Sequence, residues 1–257
     1  MTSELGKIIV CGILQQHTDR LQVLSFLSEE KEYRLRDIAQ RLNSSMQEAS
    51  KHVSRLKDQN LVEKNPSNGY YILTTLGKLV IKLLPSIEFL SENKEYLLTH
   101  SIFSLPEEFI ERIGELQEHR YNAKAGLVLS FTQQVIREAD KFVWLMSDHS
   151  LINIFDIERD RNNKTLTWRI ILSTGTKINW QDLRSYAKNV HARIEIGFSH
   201  AIIAGIALNE KVAGLLLPDL RGSLDFNSGF ISNSPSFCKW CQDLFDYIWD
   251  KSEKTII

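Results

Sequence analysis

Residues 35–63 read LRDIAQRLNSSMQEASKHVSRLKDQNLVE, and their spacing decides the fold of the first third of the chain. Leu35, Ile38, Ala39 and Leu42 recur at helical intervals and predict a short helix over 35–42. Asn43-Ser44-Ser45 interrupts that pattern, because these side chains bond nearby backbone groups. Ser44 with Gln47, or Ser45 with Glu48, has the spacing of a capping box, so a second helix starts here and runs to about Gln59. Ala49, Val53 and Leu56 share one face of it, whereas Gln47, Ser50, Lys51, Ser54 and Lys57 lie on the other. Two short helices joined by a tight turn form a helix-turn-helix unit.

The flanks extend this unit. Leu21, Leu24 and Leu27 predict a preceding helix over 18–28, started by Thr18 or Asp19. After Leu61 the period changes to that of strands. Residues 61–64 and 70–73 flank Asn65-Pro66-Ser67-Asn68-Gly69, whose Asn-Gly pair supplies the positive φ of a hairpin turn. Thr74 then caps a helix over 75–84, which Pro85 is expected to stop. Helix, helix, turn, helix, hairpin, helix is the order of a winged helix. A small helical bundle carrying a hairpin is the alternative. In a winged helix the exposed face of the third helix reaches base edges in the major groove and the hairpin reaches phosphate or the minor groove. This assigns Gln47, Ser50, Lys51 and Ser54 to the groove, and Arg34, Arg55, Lys57, Lys64, Asn65, Ser67 and Asn68 to the backbone or minor groove. Ser44 or Ser45, as the cap, would hold the positive helix N-terminus near a phosphate.

Charge bears on this reading. The 257 residues carry 31 Lys and Arg against 32 Asp and Glu, a net −1 that by itself argues against a nucleic-acid binder. The charge is uneven: residues 1–83 hold twelve bases and nine acids, a net +3, which leaves −4 for the rest. The longest apolar runs, 8–14 and 201–208, are far too short for a membrane helix. The first reads as a packed or dimerising N-terminal helix rather than a signal segment. Cys11, Cys238 and Cys241 make no disulfide framework, so the expected compartment is the cytoplasm.

Beyond Pro85 the sequence predicts helices over 87–98 and 106–116 as a linker (85–118), then alternating helices and strands over 119–257. The predicted order is a helix 123–139, strands 142–147 and 166–172, a helix 182–188, strands 191–198, 202–208 and 212–217, and a final helix 236–251. This is an α/β sandwich around a mixed sheet, with the 202–208 and 212–217 pair expected as an antiparallel hairpin at its edge.

Two resemblances follow. Leu35–Leu42, Ser44-Ser45, Ala49-Ser50-x-His52-Val53-x-x-Leu56, Asn60–Glu63 and Thr74-Thr75-Leu76-Gly77 together resemble the winged-helix domains of ArsR/MarR-like regulators. The stretch from Leu97-Leu98-Thr99-His100-Ser101 to Leu116 resembles archaeal regulators of the methanogenesis-regulator type. So does the pattern Pro218-Asp219, Gly222, Asp225, then Trp240-Cys241-x-Asp243-Leu244-Phe245-x-Tyr247-x-Trp249. The resemblance implies a dimeric, cytoplasmic archaeal DNA-binding regulator: a winged helix over 1–84, then a phospholipase-D-like α/β domain like the effector domain of sugar-responsive TrmB-type regulators.

Catalytic equipment is expected to be absent. A phospholipase-D site needs His-x-Lys, but none of the seven histidines is followed two residues later by lysine; His191 comes nearest, with Arg193. No phosphate-binding, zinc-protease, hydrolase or dinucleotide motif occurs. Cys238-Lys239-Trp240-Cys241 lacks the second pair a metal site wants and reads as two small core residues, with a redox dithiol as the alternative. No metal or cofactor is therefore expected. An effector would bind beyond the carboxyl ends of the strands. That points to Ser147, Asp148, His149, Ser173, Thr174, Thr176, Asp219 and Arg221, with Trp144, Trp180 and Tyr186 as walls. The expected function is sequence-specific regulation of transcription on double-stranded DNA by a homodimer with a small-molecule or protein effector. A phosphodiester- or small-molecule-processing enzyme with an accessory winged helix is the alternative.

Overall fold

The computed structural model describes residues 18–29, 32–123, 126–148, 166–189 and 193–256. The chain divides into two compact units, Met1–Pro85 and Ser86–Ile257.

The first unit contains α1 (Thr18–Ser28), α2 (Leu35–Arg41), α3 (Met46–Asp58), β1 (Val62–Lys64), β2 (Tyr71–Leu73) and the start of α4 (Thr75–Glu92). Leu24, Ile38, Ala49, Val53, Leu56 and Leu73 form its core, which joins the apolar stripes of the three helices as the helical period requires. Both α2 and α3 end on an asparagine in the left-handed region, Asn43 at φ 50° and Asn60 at φ 58°. Each reversal is closed across the helix end: Ser44 N–H donates to the Ala39 carbonyl at 3.0 Å and Leu61 N–H to the Leu56 carbonyl at 2.9 Å. β1 and β2 pair antiparallel, Val62 opposite Leu73 and Lys64 opposite Tyr71. Tyr33 bridges to Tyr71 on the other side, so the hairpin is tied back to the segment before α2.

Pro85 does not stop the last helix of the winged unit, contrary to expectation: α4 continues to Glu92 with Pro85 inside it. Proline removes one backbone donor, while Leu84 before it and Phe89 after it are both buried, Phe89 in the core of the second unit.

The second unit adds α5 (Lys94–Leu97), α6 (Glu107–Glu111), a 3-10 turn (Ile113–Leu116), β3 (Arg120–Ala123), α7 (Leu127–Glu138), β4 (Phe142–Ser147), β5 (Thr167–Ser173), α8 (Trp180–Asn189), β6 (Arg193–Ser199), β7 (Gly205–Leu208), β8 (Ala213–Leu216), β9 (Ser228–Ser232), α9 (Pro235–Lys251) and β10 (Glu253–Ile256). The strands form one eight-stranded sheet in the order β10-β6-β5-β4-β7-β8-β9-β3. Strands β4, β5 and β6 are parallel, and every other pairing is antiparallel. Side chains alternate across β4: Trp144 and Met146 join the layer under α9, Val143 and Leu145 the layer under α7 and α8. The central strands are thus buried on both faces.

Three expectations need correction. The 85–118 segment is no linker from Ser86 onward, because Phe89, Tyr96, Leu105, Phe109 and Leu116 pack in the α9 layer with Trp240 and Phe245. The expected helix over 123–139 starts only at Leu127, after the strand β3. The β7–β8 hairpin is interior to the sheet, since β9 pairs with β8 and β3 pairs with β9.

Candidate nucleic-acid interface

Helix α3 is built to present one face. Its stripe Ala49, Val53, Leu56 is buried. At 100° per residue, Gln47, Lys51 and Ser54 project directly opposite it, Ser50 and Lys57 stand to one side and Arg55 to the other. All six are exposed. None of the six makes a side-chain hydrogen bond or ion pair within the described residues. His52, on the flank of the buried stripe, turns inward and pairs with Asp19 of α1 at 3.4 Å.

The helix start differs from the expectation of an open, positive N-terminus. Ser45 is the cap: its Oγ accepts from Glu48 N–H at 3.2 Å, and the Glu48 carboxylate accepts from Ser45 N–H at 3.0 Å and from the Ser45 hydroxyl at 2.9 Å. These bonds from the Ser45 backbone and hydroxyl hold the Glu48 carboxyl below its usual range. The carboxylate already neutralises the helix end. The Ser45 hydroxyl is engaged in the cap, and the Ser44 Oγ is buried without a partner among the described residues.

The wing residues divide in the same way. Asn65 accepts from Ser67 N–H and Asn68 accepts from Tyr70 N–H, so both asparagines shape the turn. Asn68 also donates to the Glu32 carboxylate at 2.8 Å. Gly69, at φ 76°, fills the left-handed position of the turn. Ser67 and Lys64 remain exposed, Lys64 lying 5.9 Å from the Tyr71 ring. The Arg34 guanidinium lies 4.9 Å over the Tyr70 ring at the base of the wing.

Arg20 of α1 adds a basic group that no sequence motif signals. Burial and the nearby Arg55 charge lower its pKa, and its Nε is buried without a partner among the described residues. Two like charges held together in this way favour an anion between or beside them.

Among the described residues, the expected effector residues are not all brought together. Ser147, Asp148, Ser173 and Thr174 do end neighbouring parallel strands: Ser147 is opposite Leu172, Ser173 is opposite Ser199, and Thr174 N–H donates to the Ser199 carbonyl. Thr176 N–H closes a turn onto the Ser173 carbonyl, and Trp180, half-buried, opens α8 with its ring 6.4 Å from Phe198. Trp144 is a core residue instead of a wall, with its ring 5.0 Å from Phe245 and the Arg169 guanidinium 5.0 Å over it. Asp219 is spent on a turn, accepting from Ser223 and Arg221 N–H, bonds that keep its carboxyl below the usual range. Arg221 is exposed beside it. His149, the apolar run 8–14 and Cys11 lie outside the described residues, and the side chain of Tyr186 is likewise not described. An apolar cavity between α7 and strands β4, β7, β8 and β9, edged by Phe131, Ser147 and Phe226, encloses about 30 Å3, room for about two waters.

The two motifs around His100 and Asp219 do meet, though no sequence spacing announces it. His100 bridges backbone to backbone with Asp219, stacks on Tyr96 with centroids 3.8 Å apart, and approaches Asp225 at 3.3 Å through Nε2. Burial raises the Asp225 carboxyl, but bonds from Ser228, Asn227 and His100 outweigh it and the net shift is down. Cys238 and Cys241 face the core; burial pushes both thiols up, so neither is an activated nucleophile.

Residues 17–64 match the family described as bacterial regulatory protein, arsR family. No curated protein matches the chain. Among solved structures, the chain is similar to the archaeal chromatin protein TrmBL2, with 12 % identity, TM-score 0.39, and 98 % of this chain and 100 % of that one covered. It is similar to the multiple antibiotic-resistance repressor MarR of Listeria monocytogenes, with 19 % identity, TM-score 0.30, and 40 % and 71 % covered. It is also similar to an O-methyltransferase family protein of Burkholderia thailandensis, with 12 % identity, TM-score 0.29, and 77 % and 65 % covered. At these scores the structural likenesses decide nothing. The family match falls on the residues that build α1 to β1, and it makes the first unit the DNA-binding domain of a transcriptional regulator.

Proposed function

We propose that this regulator binds double-stranded DNA as a homodimer, with α3 in the major groove, the wing along the backbone, and an α/β unit that senses an effector. The observation that carries the reading is the face of α3 on which Gln47, Ser50, Lys51 and Ser54 stand exposed and uncommitted. Arg34, Arg55, Lys57 and Lys64, with Arg20 beside Arg55, are the phosphate contacts. The homodimer rests on Leu79 and Leu83, one turn apart on α4 and 53 % and 59 % exposed. Large apolar side chains exposed on one helix face mark an association surface. A modest +3 over residues 1–83 makes one protomer a weak binder, so two half-sites are needed for tight binding.

In the second unit the effector site is placed beyond the carboxyl ends of β4, β5 and β6, at Ser147, Asp148, Ser173 and Thr174. The unit is read as phospholipase-D-like without that enzyme's equipment, a reading whose support is the eight-stranded mixed sheet covered on both faces. No described helix is long and apolar enough to cross a membrane, in keeping with work in the cytoplasm. Fluorescence anisotropy of the full chain on labelled duplex DNA over a salt series tests the reading. Binding that weakens steeply with salt and saturates at two protomers per site is expected, and no binding to any duplex at low salt rejects it.

A further inference from the structure

Helix α3 carries two acids, and the fold accounts for only one of them. Glu48 is held in the cap by Ser45. Asp58, the last residue of the helix, is exposed and makes no hydrogen bond or ion pair among the described residues. At 100° per residue it stands about 20° from both Gln47 and Lys51 and about 40° from Ser54. The buried stripe of Ala49, Val53 and Leu56 lies almost directly opposite. Asp58 therefore extends the exposed face of α3 by one more turn. Arg55 stands about 60° to one side of it and Lys57 about 100° to the other.

Nothing among the described residues rewards a negative charge at this place. A carboxylate in the last turn meets the negative end of the helix dipole. Arg55 and Lys57 share that turn, yet neither pairs with it. On a face turned to DNA it is repelled by phosphates and by the acceptor atoms of guanine, adenine and thymine. An amino group is the one major-groove feature that matches it. Cytosine presents that donor alone, whereas the adenine donor sits beside an acceptor.

We propose that Asp58 determines specificity by exclusion: it lowers affinity for DNA in general and is accommodated where a cytosine amino group lies under the last turn of α3. Arg55 and Lys57, straddling it, hold phosphates on either side, so the carboxylate between them faces the groove. Lys51, about 10 Å back along the axis, gives the same face a positive middle and leaves Asp58 as its negative end. Such a repulsive group discriminates by penalising wrong sequences as well as by rewarding the right one. The inference rests on the DNA-binding reading above and adds a base that the surface selects and the sequences that it rejects.

The test compares the full chain with Asp58→Asn, which removes the charge and keeps the shape. Anisotropy is measured on random duplexes and on duplexes selected by the wild type from a random library. On random duplexes the variant should bind about three-fold tighter at low salt, the relief of one carboxylate about 10 Å from a phosphate. That gain should fade as salt rises. On selected duplexes, one G·C position in each half-site should lose about five-fold or more of its preference for cytosine. The proposal is overturned if the variant keeps the wild-type ratio of selected to random affinities, or if every base preference survives the substitution. Failure of the wild type to bind any duplex at low salt is a separate outcome that removes the DNA-binding reading itself.

Discussion

A Cβ added to Gly77 would stand 2.1 Å from the carbonyl oxygen of Leu61. The first turn of α4 therefore lies directly on the residue that follows α3 and leads into the wing. Thr74 fastens the same junction, its Oγ1 donating to the Asn60 carbonyl and accepting from Gly77 N–H at 3.0 Å. Recognition helix, wing and exit helix are locked at one point, and only glycine fits there.

Gly77→Ala is accordingly expected to destabilise the first unit by about 3 kcal/mol, the upper end of overpacking costs, because the atom met is backbone and cannot turn aside. Thermal unfolding of the variant should show this unit melting several degrees lower, with weaker DNA binding at a temperature where it is partly unfolded. A wild-type melting curve would show that α4 shifts freely away from Leu61.

Lys51 tests the other side of the unit. It is exposed, opposite the buried stripe of α3, and in no ion pair within the described residues. Lys51→Ala should leave the melting temperature unchanged, weaken DNA binding, and reduce the slope of log affinity against log salt by about one if Lys51 meets a phosphate. An unchanged slope with lost sequence preference would assign Lys51 to a base instead.

The contrast between these residues shows what a sequence discloses. Helix α3 was legible because a capping box, a clean apolar period and a left-handed asparagine agree at every step from Ser45 to Asn60. Strands β3, β9 and β10 were not, because RYNA, SGFIS and EKTI are short, polar or glycine-bearing and owe their form to the strands beside them. Pro85 is no helix end here, because a proline costs a helix one hydrogen bond without breaking every neighbouring turn, and the residues on both sides, Leu84 and Phe89, are buried in it. Trp144 is a core residue because strand alternation, which shows its direction only once the sheet is assembled, turns it toward α9. The meeting of His100 with Asp219 and Asp225 joins residues more than a hundred positions apart, and no local pattern encodes such a contact.

The dimer prediction concerns Leu79 and Leu83. Replacing both by serine removes exposed apolar surface at no cost to the core of the unit, since neither is buried. Light scattering should show the wild type as a dimer and the double variant as a monomer at the same concentration, with DNA affinity lowered at least ten-fold through loss of the second half-site. A variant that stays dimeric would place the interface elsewhere.

The last prediction concerns acid sensitivity of the second unit. Burial opposes ionisation of Asp225, yet the bonds from Ser228, Asn227 and His100 hold its carboxyl below the ordinary value. A carboxyl lower in the folded than in the unfolded state stabilises the fold above the unfolded value, about 3.9 for aspartate. That stabilisation is lost as pH falls through the lower folded value. Asp225→Asn removes the charge while keeping the shape, so it should unfold at a lower urea concentration than wild type at pH 7. The difference should shrink progressively below about pH 4, because the wild-type carboxyl is then protonated as well. Urea midpoints at pH 7, 5 and 3 measure it. A gap of the same size at all three would mean that Asp225 acts through packing and geometry, and that its charge contributes nothing to holding His100 against the turn at Asp219.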